Sequence, residues 1–442
     1  VVILRILLIS DHADPLAKIG AKESGGQNIY VMNVATLLAR RGHQVDVYTR
    51  WDARSKREVV QVRRGLRVIR VAAGPQAYMP RDQFLNITDD FAERIKERIA
   101  REELQYDVIF THYWFSGIIG LQLAQEYQLP LAHVYHSIGR IKYEALKEIN
   151  PAELDGQLFE MRCLWEKRIA QEATSIITTS PVEEQDIVRL FEIPRDKIAC
   201  ITIGVDTQLF RPRSQKWCRQ KLKLPQDAQI VLYVGRLELR KGISTLIRAV
   251  NTLAGAELYI VGGGSSKSTK AQDQSERNRL QDVVRELGVT HRVHFVGAKP
   301  QQQLAQYYSA ADVCAVPSYY EPFGIVPIEA MACGTPVVAS DTGGMRYTVQ
   351  EGVTGHLTKA YDFAALAGKL RLTLQDGKEH YTAAARNHVL HFFAWPKIGM
   401  ALSHHLISLQ REAQRTTKAA RKLVNEADTV TAQAAIVAAE LV

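Results

Sequence analysis

The chain has 442 residues, 46% of them hydrophobic and 23% charged, a globular composition that excludes a disordered or fibrous class. That length exceeds one ordinary core, so two domains of about 200 residues each are expected. The net charge of +9 suits nucleic acid, an anionic membrane surface or small phosphorylated ligands. The basic runs Arg54 to Arg70 and Arg411 to Lys422 lack the interleaved aromatics of a single-strand stacking platform, and both are read as solvated faces.

Val1 to Ile9 is a short apolar run interrupted by Arg5, which makes it a first strand rather than a signal-peptide core. No stretch reaches the roughly 18 apolar residues of a membrane span. After the polar loop Asp11 to Ser24, a helix-period segment through Tyr30, Val34 and Leu38 stops before Gly42, and Val45 to Thr49 is strand-like. This is a β-α-β unit. Gly25-Gly26-Gln27 stands where its helix begins, and glycine there lets backbone amides approach a phosphate.

Further strands are expected at Val68–Ala72, Val108–Thr111, Leu131–Tyr135 and Ser175–Thr179. His112 and Tyr113 follow one of them, and His136 and Ser137 another, at the carboxyl ends where open parallel sheets gather ligands. Around Pro212 to Pro225 the pattern turns polar, and a second series begins with Ile230–Val234, Leu258–Val261, Val293–Val296, Val313–Val316 and Val337–Ala339. The boundary therefore falls near residue 210. Arg236 and Lys241 flank a turn at the end of the first of these strands, where two fixed cations can neutralise a departing diphosphate. Gly262 to Thr269 lacks both the phosphate-loop Gly-Lys pair and the third glycine of a dinucleotide fingerprint.

Between Tyr319 and Gly344 lie Glu321 and Glu329, with Pro322-Phe323-Gly324 after the first. The spacing puts Glu321 in a loop and Glu329 in the second turn of the helix that follows. Eight helical steps would separate the two carboxylates by roughly 12 Å along the axis, beyond the roughly 5 to 9.5 Å of a glycosidase pair. A loop placement of Glu321 would shorten this separation, so a ligand grip, an acid/base pair and two ordinary surface glutamates all stay open as readings of the pair. The cysteines Cys163, Cys200, Cys218, Cys314 and Cys333 are odd in number, contain no C-x-x-C and fit a reduced cytoplasmic setting. There is no H-E-x-x-H, His388 with His391 is read as structural, and the aromatic cluster His391 to Trp395 is read as core.

The combination of Gly25-Gly26-Gln27, Gly235-Arg236, Lys241-Gly242 and E-x7-E followed by Gly343-Gly344 resembles the retaining nucleotide-sugar glycosyltransferases of family four. The resemblance implies an α/β chain of GT-B architecture, two Rossmann-like domains facing across a cleft. Residues 1–210 would bind the acceptor and residues 211–390 the nucleotide sugar. Residues 391–442 would be C-terminal helices, the first crossing back to the N-terminal domain.

Within that family His136-Ser-Ile-Gly-Arg140-x-Lys142 looks like the H-S-L-G-R-x-K stretch of sucrose-phosphate synthases. This implies transfer of glucose from UDP-glucose to fructose 6-phosphate, giving sucrose 6-phosphate and UDP. By resemblance the catalytic group is His136, Arg236, Lys241 and Glu321. The donor would also meet Gly26, Phe323, Gly324, Ile325 and Glu329, with Glu329 on the ribose hydroxyls. Gly26, Gln27, Tyr113, Ser137 and Lys142 would line the acceptor pocket, and Arg81, Arg162 and Arg168 would hold the sugar phosphate. No metal or other cofactor is expected, the chain having no D-x-D, and no nucleic acid or membrane span is expected either. A separate sucrose-phosphate phosphatase would act downstream. The competing readings are another phosphorylated acceptor such as an inositol phosphate, a sugar-nucleotide epimerase of the same architecture, or a non-enzymatic UDP-sugar-binding protein.

Overall fold

Apolar runs without alternation demand burial on both faces, and the first strand, Arg5–Ile9, is fully buried from its second residue on. In the computed structural model, which describes residues 2–17, 25–147, 149, 156–263 and 269–440, this strand lies inside a parallel sheet. Elements are labelled in chain order. The first half runs β1 (Arg5–Ile9), α1 (Gly26–Arg40), β2 (Gln44–Arg50), β3 (Val59–Arg63), β4 (Leu66–Val71), α2 (Thr88–Arg101) and β5 (Val108–His112). It continues with α3 (Trp114–Tyr127), β6 (Leu131–Val134), α4 (Gly139–Leu146), α5 (Gly156–Glu172), β7 (Ser175–Thr178), α6 (Pro181–Phe191) and β8 (Ile198–Cys200).

The second half runs α7 (Gln215–Leu222), β9 (Gln229–Gly235), α8 (Ile243–Asn251), β10 (Ala256–Gly262), α9 (Thr269–Glu286), β11 (Val293–Phe295) and α10 (Gln301–Ala310). Then come β12 (Val313–Val316), α11 (Ile325–Ala332), β13 (Val337–Ser340), α12 (Met345–Thr348), β14 (Gly355–Thr358), α13 (Phe363–Asp376), α14 (Lys378–Phe392) and α15 (Trp395–Glu440).

The strand order is β3-β4-β2-β1-β5-β6-β7-β8 in one sheet and β11-β10-β9-β12-β13-β14 in the other. Every pairing is parallel except β3 with β4. Strand order reverses at β1, between β2 and β5, and at β9, between β10 and β12. At such a switch point the loops leaving the strand ends diverge and open a crevice. Both crevices face the space between the sheets.

The hairpin β3–β4 and the short strands β8 and β14 go beyond the sequence reading. The basic run around them is not a uniformly solvated face. Arg70 is buried against Asp14 at 3.1 Å, and Arg67 pairs with Asp46 at 2.6 Å. Strand pairing in β4 is what draws these guanidinium groups inward. The loop expected over Asp11 to Ser24 is described as far as residue 17, and most of the Gly262 to Thr269 loop lies outside the described residues.

After α14 the chain returns to the N-terminal sheet. Val205 N–H donates to Phe393 O at 2.7 Å, and Trp395 covers Gly204 so closely that a Cβ there would meet its ring at 2.5 Å. α15 then lies on α1, with Ser403 Oγ 2.7 Å from His43 Nε2. Phe393 is fully buried and meets Phe323 edge to face at 6.0 Å, so the aromatic cluster is core. No helix among the described residues is long and apolar enough to cross a membrane.

Candidate active site

The turn after β9 carries Arg236, Glu238, Arg240 and Lys241. Gly242 ends it at φ +65, with the space for a Cβ only 2.1 Å from Pro317 O, so only glycine fits the turn. Lys241 Nζ lies 2.5 Å from Glu321 Oε2. Burial pushes the Glu321 carboxyl up, but Lys241 and Arg240 outweigh it and hold it below its ordinary value. Burial also holds the Lys241 ammonium below its usual range. Arg236 reaches Glu238 at 2.6 Å and is half exposed. Both expected diphosphate cations thus already carry a carboxylate partner.

Glu321 stands in the loop before α11 and Glu329 in that helix's second turn, as their spacing predicts. Glu329 is 7% exposed, accepts from Tyr308 Oη at 2.9 Å, and is pushed up to about 7 by its burial. Phe323 and Gly324 are buried under the loop. Gly344 packs so tightly that a Cβ would sit 2.5 Å from Phe323 O. This contact folds the E-x7-E loop onto the following Gly-Gly turn. No side chain caps the amino end of α11, and uncapped first-turn amides are a favourable place for an anion.

Across the cleft, Gly26 is the first residue of α1. A Cβ on it would come 3.1 Å from Ile325 Cδ1, so the amino ends of α1 and α11 meet face to face. Gln27 Nε2 is tethered to His112 O and Ser10 Oγ, each at 3.4 Å.

His136 sits just past β6 at φ +59, an αL conformation that non-glycine residues adopt rarely. Its Nε2 lies 3.1 Å from His112 Nδ1, one ring donating to the other. Burial, with His12 nearby, holds His136 down to about 3. It is a neutral imidazole, suited to hydrogen-bonding a hydroxyl rather than to carrying charge.

Tyr113 also has positive φ, +77, and marks the centre of a cationic group. Arg162 Nη1 donates to its Oη at 3.2 Å, and the Arg81 guanidinium stands 5.9 Å from its ring centroid. Burial pushes the phenol up, yet Arg162, Arg81 and Lys142 together outweigh it and hold it below its usual value. Three cations from separate segments converge here. Arg162 also grips Ser137 O at 2.6 Å.

Arg168 does not join them. Six residues on from Arg162 along α5, it is turned by about 240° around the axis. It pairs with Glu172 at 2.7 Å and lies over Trp165 at 5.0 Å, so the expectation that it holds the sugar phosphate is corrected. The structure adds groups that sequence reasoning missed. Tyr320 faces Ser137 across the cleft, the two lining one pocket, and Tyr361, stacked on Tyr319 at 3.8 Å, donates to Ala145 O at 3.1 Å. Glu166, buried beside Arg162, stands four residues after it on the same helix face, a spacing readable in the sequence. The Tyr361 contact spans 216 residues and has no sequence signal.

Comparison with known proteins gives matches over both halves of the chain. The family description Glycosyltransferase Family 4 matches residues 24–209, and Glycosyl transferases group 1 matches residues 215–388. A D-inositol 3-phosphate glycosyltransferase from Corynebacterium diphtheriae is 34% identical over 88% of this chain and 91% of its own length. The protein of the same name from Mycolicibacterium smegmatis is 35% identical over 88% and 87%. Among solved structures, sucrose-phosphate synthase from Thermosynechococcus elongatus superposes with a TM-score of 0.83 at 39% identity, covering 92% of this chain and 99% of that one. An Anabaena protein solved with UDP-glucose shares the fold at a TM-score of 0.68 and 20% identity, over 92% of this chain and all of that one. The chain belongs to the family-four glycosyltransferases and has their GT-B architecture.

Proposed function

We propose that this glycosyltransferase moves glucose from UDP-glucose to the 2-hydroxyl of fructose 6-phosphate with retention of configuration, releasing UDP and sucrose 6-phosphate. The observation that carries the reading is the pair of guanidinium groups on Tyr113, Arg162 at 3.2 Å from its Oη and Arg81 at 5.9 Å from its ring centroid, with the Lys142 charge also acting on that phenol, across the cleft from the Lys241–Glu321 pair. An acceptor with a phosphate satisfies the first group, and a nucleotide diphosphate-sugar satisfies the second. The choice of fructose 6-phosphate is supported by the HSIGRIK segment and by the 39% identity to a sucrose-phosphate synthase.

In the proposed step the bond from the anomeric carbon to the diphosphate breaks while the acceptor oxygen bonds that carbon on the same face. The acceptor proton passes to the departing diphosphate oxygen. Lys241 and Arg236 stabilise the growing negative charge, an effect largest where water is excluded. Glu321 holds glucose hydroxyls, neutral His136 bonds the sugar near the reacting carbon, and Glu329 takes the ribose hydroxyls. The chemistry needs no metal. A separate phosphatase removes the phosphate from the product.

A second reading, an inositol phosphate as acceptor, is favoured by the relatives' name at 34% to 35% identity. One assay separates the two: nucleotide sugars crossed with fructose 6-phosphate and inositol 3-phosphate, in EDTA, with product identified by mass and linkage. Sucrose 6-phosphate is expected. Turnover on the inositol phosphate alone rejects the first reading, and activity that disappears with EDTA rejects the metal-free step.

A further inference from the structure

Glu166 is a fully buried carboxylate on α5 that faces the acceptor side without touching the cleft's open space. It holds two things at once. Its Oε1 accepts from Arg162 Nε at 2.6 Å. The same carboxylate accepts the backbone N–H of Gly139, the first residue of α4, at 2.9 and 3.1 Å. α4 carries Lys142, and Arg162 reaches Tyr113 and Ser137. Two of the three converging cations are therefore aimed through one side chain.

The packing around this junction is tight. A Cβ on Gly139 would lie 2.9 Å from Arg162 Nε, 3.0 Å from its Cδ and 3.2 Å from Glu166 Oε2, so the amino end of α4 closes directly onto the ion pair. The carboxylate's own backbone is pinned as well, since Tyr135 Oη donates to Glu166 O at 2.5 Å. A carboxylate that only balanced charge would need neither the helix cap nor the fixed backbone. The geometry points to Glu166 as a positioning residue that sets the separation of Arg162 and Lys142, and through it the recognition of the acceptor's phosphate. This rests on the reading of the site as one for a phosphorylated acceptor.

Charge and position predict opposite signs, which makes the role testable. Glu166→Gln removes a negative charge beside the anion site, so electrostatics alone would tighten phosphate binding. If Glu166 acts by position, the amide offers one acceptor oxygen where the carboxylate offers two: with its oxygen kept on Arg162, its NH2 replaces the Oε2 that accepts the Gly139 N–H at 2.9 Å, donor meets donor, and phosphate recognition weakens.

The experiment measures kcat/KM for the phosphorylated acceptor that the unaltered enzyme uses and for the same sugar without phosphate, together with the KM for the donor. The ratio of the two acceptors should fall about tenfold in Glu166→Gln, a loss of the size expected for one charge-assisted hydrogen bond. The donor KM should stay within about twofold, since Glu166 bonds Arg162 and Gly139 and neither Lys241 nor Glu321. Gly139→Ala, which pushes on the same pair without changing charge, should give the same pattern and covers the case where the first variant fails to fold. A ratio that rises, or stays level while both acceptors and the donor suffer equally, overturns the proposal. If the unaltered enzyme uses inositol 3-phosphate instead of fructose 6-phosphate, the acceptor reading falls while the ratio on that acceptor still decides the role of Glu166.

Discussion

Replacing Glu329 by glutamine isolates the cost of enclosing a carboxylate in the donor-side helix. The amide keeps the shape and still accepts from Tyr308 Oη, which donates to Glu329 at 2.9 Å, so the change is confined to charge. In the unfolded chain this group ionises near 4.5, and in the native site it ionises near 7 because burial disfavours the charged form. Below about pH 4.5 both states are protonated and the native chain bears no penalty. Above about 7 both are ionised and it bears all of it, so the relative stability of the native state is lost as pH climbs through that window.

At about 1.4 kcal/mol per pH unit, the rise to about 7 amounts to about 3 kcal/mol. Denaturation of the ligand-free protein and of Glu329→Gln, compared at about pH 5 and about pH 8, reads the difference directly. The variant should be the more stable at the alkaline end, by up to about 3 kcal/mol, with the gap closing toward acid. A gap of constant size, or an unaltered protein that is favoured at high pH, refutes the argument. Under the proposed function the ionised carboxylate takes the ribose hydroxyls, so UDP binding should tighten with pH in the unaltered chain and stay flat in the variant.

Lys241→Met removes the cation 2.5 Å from Glu321 and should lower kcat by about a hundredfold or more, as expected for loss of a group that stabilises developing charge. Turnover within about tenfold of the original would dismiss Lys241 from the reacting centre. Tyr361→Phe deletes the hydroxyl that donates to Ala145 O at 3.1 Å and spares the stack on Tyr319. It should raise the acceptor KM about three- to tenfold, the range of one net hydrogen bond. The UDP dissociation constant should be unmoved, and an unchanged acceptor KM would show that this contact does not hold the cleft over α4.

Much of the fold was legible because each half repeats a strong local signal. Apolar runs such as Ile6–Ile9 and Val231–Val234 are buried on both faces, and glycines or polar pairs punctuate the strand ends. The placement of Glu321 in a loop and Glu329 in the second turn of α11 follows from Pro322, Gly324 and the helical spacing of Ile325, Ile328 and Met331. The weak signals failed. β8 has only three residues, and β3 is stabilised by pairing with β4 rather than by its own pattern. Arg168 is placed with Arg162 and Arg81 by the family resemblance alone, and helix periodicity turns it away from Arg162.

The sequence by itself determined the class, the two series of strands, the family and the donor-side pattern, because these depend on residues close together in the chain. Only the tertiary structure decided which side chains share a space. It brought Arg81, Lys142 and Arg162 to one tyrosine from three separate segments, set Glu166 between two of them, and drew Tyr320 and Tyr361 across the cleft to Ser137 and α4. The Lys241–Glu321 pair, 80 residues apart, likewise exists only because β9 and β12 are neighbours in the sheet. The stretch Tyr319 to Gly344 names the family locally, whereas recognition of an acceptor is a long-range property, built where loops from different strand ends converge.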